Sequence, residues 1–144
     1  MSARYFALIA GIVYLFVGLL GFVPGVNQPP PPDAPDLAVK SGYGLLMGLF
    51  PINVVHNLIH LVLGVLGIMA YRSFGSSRSY ARGLAIFYGI LAVMGFIPVL
   101  NTTFGLAPIF GHDIWLHALT AIIAAYVGWS TAVEADRPRN AARR

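Results

Sequence analysis

Two histidines four residues apart, His56 and His60 in the stretch PINVVHNLIH, stand inside an otherwise apolar run, and Asp113 and His117 repeat that spacing in HDIWLHALTAI. On a helix, residues four apart share a face, so each pair would present two polar groups to the same neighbour. Imidazole and carboxylate suit divalent zinc, copper, nickel or iron, and histidines on two helices can also hold haem axially. The candidate metal ligands are therefore His56, His60, Asp113 and His117. Asn57 completes the candidate ligand-binding cluster, and His112 lies nearby as a group able to orient the others.

Two further chemistries fit the same residues. As hydrogen-bonding contacts between buried helices they would contribute about 0.6–2 kcal/mol each in a membrane. As relay groups, His and Asp would carry protons or a solute along a path. The spacing is less specific than an HExxH motif. No GxSxG, GxxxxGK[ST] or GxGxxG pattern occurs, and no serine stands at a recognisable distance from His and Asp. The chain thus reads as non-enzymatic unless a metal or cofactor supplies the chemistry; no cofactor is the simplest reading, a divalent metal or haem the alternative.

The elements that must carry these residues follow from composition. Across 144 residues, 58% are hydrophobic and only 10% charged, outside the usual range for a soluble domain. A bilayer crossing needs about 20 apolar residues at ~1.5 Å rise each. Four stretches meet this, at about 5–24, 50–71, 84–100 and 114–133. The first resembles a signal segment in having Arg4 ahead of it, but GVNQPPPP follows rather than a small-residue cleavage site, so it is expected to stay as a span. Pro51 suits a first helical turn, which would place His60 roughly 13 Å along the second span. The chain contains no cysteine, which excludes disulfides and thiolate metal sites.

Arg4 precedes the first span, Arg72, Arg78 and Arg82 lie between the second and third, and Arg137, Arg139, Arg143 and Arg144 follow the fourth. On the other side Lys40 is the one basic residue, in the Pro-rich loop 25–41. Short cytoplasmic segments carry the Lys and Arg, so both termini, including the basic tail 134–144, are expected in the cytoplasm of a bacterial inner membrane. The net charge of +4 is then a topology and lipid signal rather than a nucleic-acid one. Tyr5, Tyr43, Tyr71, Tyr80 and Trp129 fall mostly near span ends, where aromatic rings favour the headgroups; Trp115 beside His117 is expected either there or over a bound ligand.

GLFPINVVHNLIHLVLGV and GLAPIFGHDIWLHALTAI share a Gly-Leu-x-Pro-Ile opening, with His60 falling on His117 at an offset of 57. GFVP (21–24) similarly matches GFIP (95–98). The expectation is an all-α integral membrane protein of four transmembrane helices, built as two tandem two-helix repeats about a pseudo-twofold axis along the membrane normal. The insert VNQPPPPDAPD would lengthen the first external connection as an extended, exposed loop. Small residues spaced by four, Gly44 and Gly48, Ala121 and Ala125, and Ala124 and Gly128, would let helices approach, within the bundle or in a homo-oligomer. The expected partners are thus the lipid bilayer and a second copy.

FALIAGIVYLFVGLLGFVPG, GLLMGLFPINVVHNLIHLVLGVLGI and DIWLHALTAI together resemble DUF4383, a bacterial family of small membrane proteins of unknown function. The resemblance covers nearly the whole chain, and its most specific part is the H-N-x-x-H core. The final block usually reads Asp-Asn-Trp-Leu-His in that family, whereas Ile114 stands here in place of the Asn. The resemblance implies a four-span membrane protein and supplies no activity.

Overall fold

A computed structural model describes residues 2–130. The tail 134–144 lies outside the described residues. Among them are four α-helices, α1 (Ala3–Leu20), α2 (Val54–Ala70), α3 (Phe74–Met94) and α4 (His112–Ala125), the last continuing into a π-helical turn, Tyr126–Ser130. The four-helix expectation therefore holds. Of these, α1 has both the length and the apolarity to cross a membrane, and α2 is apolar but one residue shorter.

Three short strands, absent from the sequence-based expectation, join α1 to α2. They are β1 (Asn27–Gln28), β2 (Gly44–Leu46) and β3 (Phe50–Ile52), an antiparallel sheet in the order β1-β2-β3. This moves the start of α2. Pro51 pairs with Leu45 in β3 rather than opening the helix, and Asn53 becomes the N-cap, its side-chain oxygen accepting from the His56 amide at 2.9 Å. His60 consequently lies about 10 Å along α2, not 13 Å, at ~1.5 Å per residue. Gly44 and Gly48 are also displaced from the helical role expected of them: Gly44 is in β2 against the Gln28 carbonyl, and Gly48 is in the β2–β3 turn with φ +75°.

That turn places Met47 and Gly48 at φ 54° and 75°; ahead of α4, Phe104 and Gly105 have φ 58° and 86°. Positive φ is costly for a side chain as large as Met or Phe. Each Gly-Leu-x-Pro-Ile segment thus leaves a left-handed turn and buries its Pro-Ile, Pro51 with Ile52 and Pro108 with Ile109. In the long connection, Tyr43 donates to the Pro35 carbonyl at 2.8 Å. Lys40 pairs with Asp36 at 2.6 Å and holds that carboxyl below its ordinary value. Both partners of the pair are exposed, so it contributes little.

Packing is strongest between consecutive helices, α1 on α2 and α3 on α4. Glycine makes the first contact possible: a Cβ on Gly11 would stand 2.8 Å from the Ile68 amide nitrogen and 2.9 Å from the Gly64 carbonyl oxygen. In the second, Ala124 is fully buried and Gly128 lies against the Arg82 backbone, in agreement with the close-approach role expected of that pair. The core between the hairpins is built from Ala3, Phe6, Ala81, Leu84, Ala85, Tyr88, Ala124 and Val127. Outward faces carry large apolar side chains on every helix, among them Phe16, Val62, Ile90 and Ile122.

At one end of the bundle, Arg4 donates to the Tyr71 carbonyl at 2.9 Å and lies over the Tyr71 ring. At the same end Arg78 and Arg82 both donate to the Gly128 carbonyl, at 3.1 and 2.9 Å. Gly11→Val is expected to lose about 1–3 kcal/mol of stability by prising α1 from α2, whereas Gly83→Ala, which meets open space, should gain up to about 1 kcal/mol. Thermal unfolding of the two variants checks this; an unchanged Gly11→Val would refute the close contact.

Candidate functional site

Asn53 fixes the entry to the site. Besides capping α2, its side-chain nitrogen donates to the Val39 carbonyl at 2.9 Å and the Leu106 carbonyl at 2.7 Å, tying the long connection and the α3–α4 connection to one buried residue. An Asn directly before an apolar helical run is an N-cap signal, and that signal could have identified this residue from the sequence. One turn further on, α2 turns His56 inward, and α4 turns in Asp113 and His117.

Ligand atoms from His56, Asp113 and His117, all buried, lie within 4.8 Å of one another. His56 Nδ1 is 3.8 Å from Asp113 Oδ2, an ion-pair distance too long for a hydrogen bond. His56 Nδ1, Asp113 Oδ2 and His117 Nδ1 are buried without a hydrogen-bond partner, as is His60 Nδ1. An unpaired buried polar atom costs about 1–3 kcal/mol. Four of them in one place is unusual, because buried polar groups nearly always find partners.

The five sequence-selected residues do not all share this point. His60 is outside the three-residue group but lies beside it, its ring tilted against that of His56 at a centroid distance of 4.7 Å. Asn57 is fully buried on another side, where its carboxamide fills the space in which Gly21 has no Cβ. His112 is exposed at the start of α4 and accepts from the Trp115 indole at 2.9 Å. Trp115 is half-exposed, packs on His112 and Phe50, and makes no ring contact with His117.

Two tyrosines that sequence reasoning passed over complete the arrangement. Tyr14 of α1 stacks on His60 at 5.5 Å and on Tyr88 of α3 at 5.7 Å; Tyr88 then meets His117 at 4.9 Å, and His117 meets His56 at 6.2 Å. The five rings form a closed circuit with a contribution from each helix. The offset of 74 that lays GFVP on GFIP also lays Tyr14 on Tyr88, and it was the available clue. The Tyr88 hydroxyl is buried beside that of Tyr14.

A cavity of about 170 Å³ lies against this circuit between α2 and α3, walled by His56, His60, Tyr88 and His117 and otherwise apolar. A second, of about 330 Å³, lies on the opposite side between α1 and α4, with Tyr14 and His60 in its wall.

A four-helix chain with a buried imidazole–carboxylate cluster is the class that fold and site define. The family model described as a domain of unknown function, DUF4383, matches residues 4–130, and the chain belongs to that family. No curated protein and no solved structure matches it.

Asn53→Ala is expected to cost about 2–3 kcal/mol by removing a cap and leaving two part-buried carbonyls without their donor. Asn53→Ser should recover roughly 1 kcal/mol by keeping the cap without a group facing the two carbonyls. Equal unfolding midpoints for the two variants would count against the cap.

Proposed function

We propose that this protein is a four-span bacterial inner-membrane protein that binds one divalent transition-metal ion at His56, Asp113 and His117. The observation that carries the metal reading is the convergence of three buried donor residues within 4.8 Å, each with an atom that makes no hydrogen bond. Were the cluster only interhelical glue, those atoms would be expected to bond one another, and they do not.

Two imidazoles and one carboxylate suit zinc or ferrous iron. Donors around a tetrahedral ion stand about 3.4 Å apart on bonds of ~2.1 Å, so the residues need close by only about 1 Å on binding. Three protein ligands leave a coordination position open, as in sites that bind an exchangeable molecule. Haem suits the site less well, because the adjoining cavity of about 170 Å³ is the size of a single ring.

The membrane reading rests on polarity turned inside out. Small and polar residues such as Gly11, Gly64, His56, Asn57 and Asp113 are inside, while large apolar side chains cover the outside of all four helices. An exposed apolar surface of this extent needs a cover, and acyl chains supply one. Arg4, Arg72, Arg78 and Arg82 gather at the end expected in the cytoplasm.

Paired features at offsets of 57 and 74 support the tandem repeat. Met47–Gly48 matches Phe104–Gly105 in backbone angle. Arg4 on the Tyr71 carbonyl matches Arg78 on the Gly128 carbonyl. Gly21 against Asn57 matches Gly95 against Ile114. The pseudo-twofold would run between Tyr14 and Tyr88.

Protein purified without metal-affinity resin is expected to carry about one ion per chain by elemental analysis, or to take up Zn²⁺ or Fe²⁺ with a rise in Tm worth about 2.7 kcal/mol at a hundredfold excess over Kd. His56→Ala, Asp113→Asn and His117→Ala should each lose most of the ion, and His60→Ala should keep it. A wild-type protein that neither holds nor takes up metal would overturn the site.

The native chain has no cysteine, so single-cysteine variants test topology cleanly. In whole cells Ser41→Cys should react with an impermeant maleimide, and Ser76→Cys only after permeabilisation. Reversed labelling would overturn the orientation.

A further inference from the structure

We infer that Arg78 and Arg82 hold the phosphate of an anionic phospholipid at the end of the bundle where α3 begins and α4 ends. Both side chains are half-buried and donate through Nε to one acceptor, the Gly128 carbonyl, at 3.1 and 2.9 Å. Gly128 permits this approach, since a Cβ there would stand 2.8 Å from Arg82 Cγ. Trp129 steadies the second guanidinium, the Arg82 Cζ lying 5.3 Å from its ring centroid.

The end of a helix gains from a cation near its last carbonyls, and one is sufficient in this fold. Among the described residues, the Tyr71 carbonyl at the end of α2 is held by Arg4 and no second arginine. The doubled arginine at Gly128 therefore adds like-charge repulsion that capping does not require. No carboxylate relieves it among the described residues, whose ion pairs are Lys40 with Asp36 and His56 with Asp113. The Nη donors of the two guanidiniums find no acceptor there either. Two planar forks brought together in this way match the oxygens of a phosphate.

The surface beyond the arginines selects a lipid over a free anion. Arg78, Arg82, Ile86 and Ile90 follow one another at intervals of four on α3, so they run along adjoining parts of one face. Ile86 and Ile90 are more than half exposed, as are Ile122 and Tyr126 of α4. A guest that is anionic at one end and apolar along the rest fits this order, and basic groups between helices at the cytoplasmic surface are where lipid headgroups bind. The inference rests on the bilayer reading proposed above and is independent of the metal site.

Trp115→Phe leaves Trp129 as the one tryptophan of the chain, a reporter in contact with Arg82. The full chain carrying that change is reconstituted in vesicles of phosphatidylcholine and phosphatidylglycerol, with bromine on the acyl chains of one lipid or the other. The ratio of Trp129 quenching by the two lipids gives their relative occupancy and cancels changes in the exposure of the ring. Phosphatidylglycerol is expected to be enriched about tenfold over its share of the vesicle, falling to about twofold in Arg78→Gln and in Arg82→Gln. Each of these variants keeps one arginine on the Gly128 carbonyl; Arg78→Lys, which retains the charge but not the fork, gives a third variant with an intermediate ratio expected. Millimolar inorganic phosphate at constant ionic strength should leave the enrichment in place, as should replacement of the tail arginines Arg137, Arg139, Arg143 and Arg144 by Gln. Loss of enrichment in phosphate would assign the arginines to a free anion, and enrichment that emerges only in Glu134→Gln/Asp136→Asn would assign them to the tail; either overturns the lipid site. Equal quenching by the two lipids, or an enrichment unchanged in both Gln variants, would refute the site and leave the bilayer reading standing. No quenching by either lipid would refute the bilayer reading and the site with it.

Discussion

Backbone contact between α1 and α2 governs the geometry around it. Gly11 faces Gly64 and Gly67 so closely that no Cβ fits, and Gly18 lies equally near the Asn57 carbonyl. In the proposed bilayer, dispersion between surfaces this close would be the main attraction available to the helices. With the two helices so near, Tyr14 can lie flat on His60, and Tyr88 can complete the stack from α3. The polar residues of α2 and α4 are thereby held in a ring of aromatic surface instead of being left against loosely packed chain.

A buried polar cluster beside the apolar core, with large apolar side chains on the outside of every helix, departs from the ordering of a water-soluble bundle. Asn53 illustrates the expense that this arrangement avoids elsewhere: with no water assured nearby, it satisfies two carbonyls from distant connections and one amide of its own helix. His56, His60, His117 and Asp113 each leave one buried polar atom without a partner. That contrast with Asn53, whose side chain has three partners, separates a residue that holds the fold together from the residues of the proposed metal site and its neighbour His60.

Much of the helical framework was legible because long apolar runs have few alternatives to helix. Helix ends were less legible. Pro51 fits both a first helical turn and an edge strand, and strand pairing with Leu45 won; polar residues Ser76–Arg82 lengthened α3 ahead of its apolar run. Within the site, spacing by four is consistent with the buried positions of His56, Asp113 and His117, but it could not tell that Asn57, adjacent to His56, turns away to fill the hollow at Gly21. Tyr14 and Tyr88 look like ordinary aromatic residues of an apolar helix until the sequence is set against itself at the offset of 74.

In the proposed repeat, at the offset of 57, Asp113 falls on His56. A symmetric pair of imidazoles there would leave a divalent ion with its full charge inside an apolar bundle, and a symmetric pair of carboxylates would repel each other when the ion departs. One of each gives a half-neutralised centre. In a medium of low dielectric, the residual positive charge of an ion at the proposed site would be strongly stabilised by an anion at the open coordination position, so the pairing of imidazole with carboxylate would set the electroneutrality of whatever occupies it.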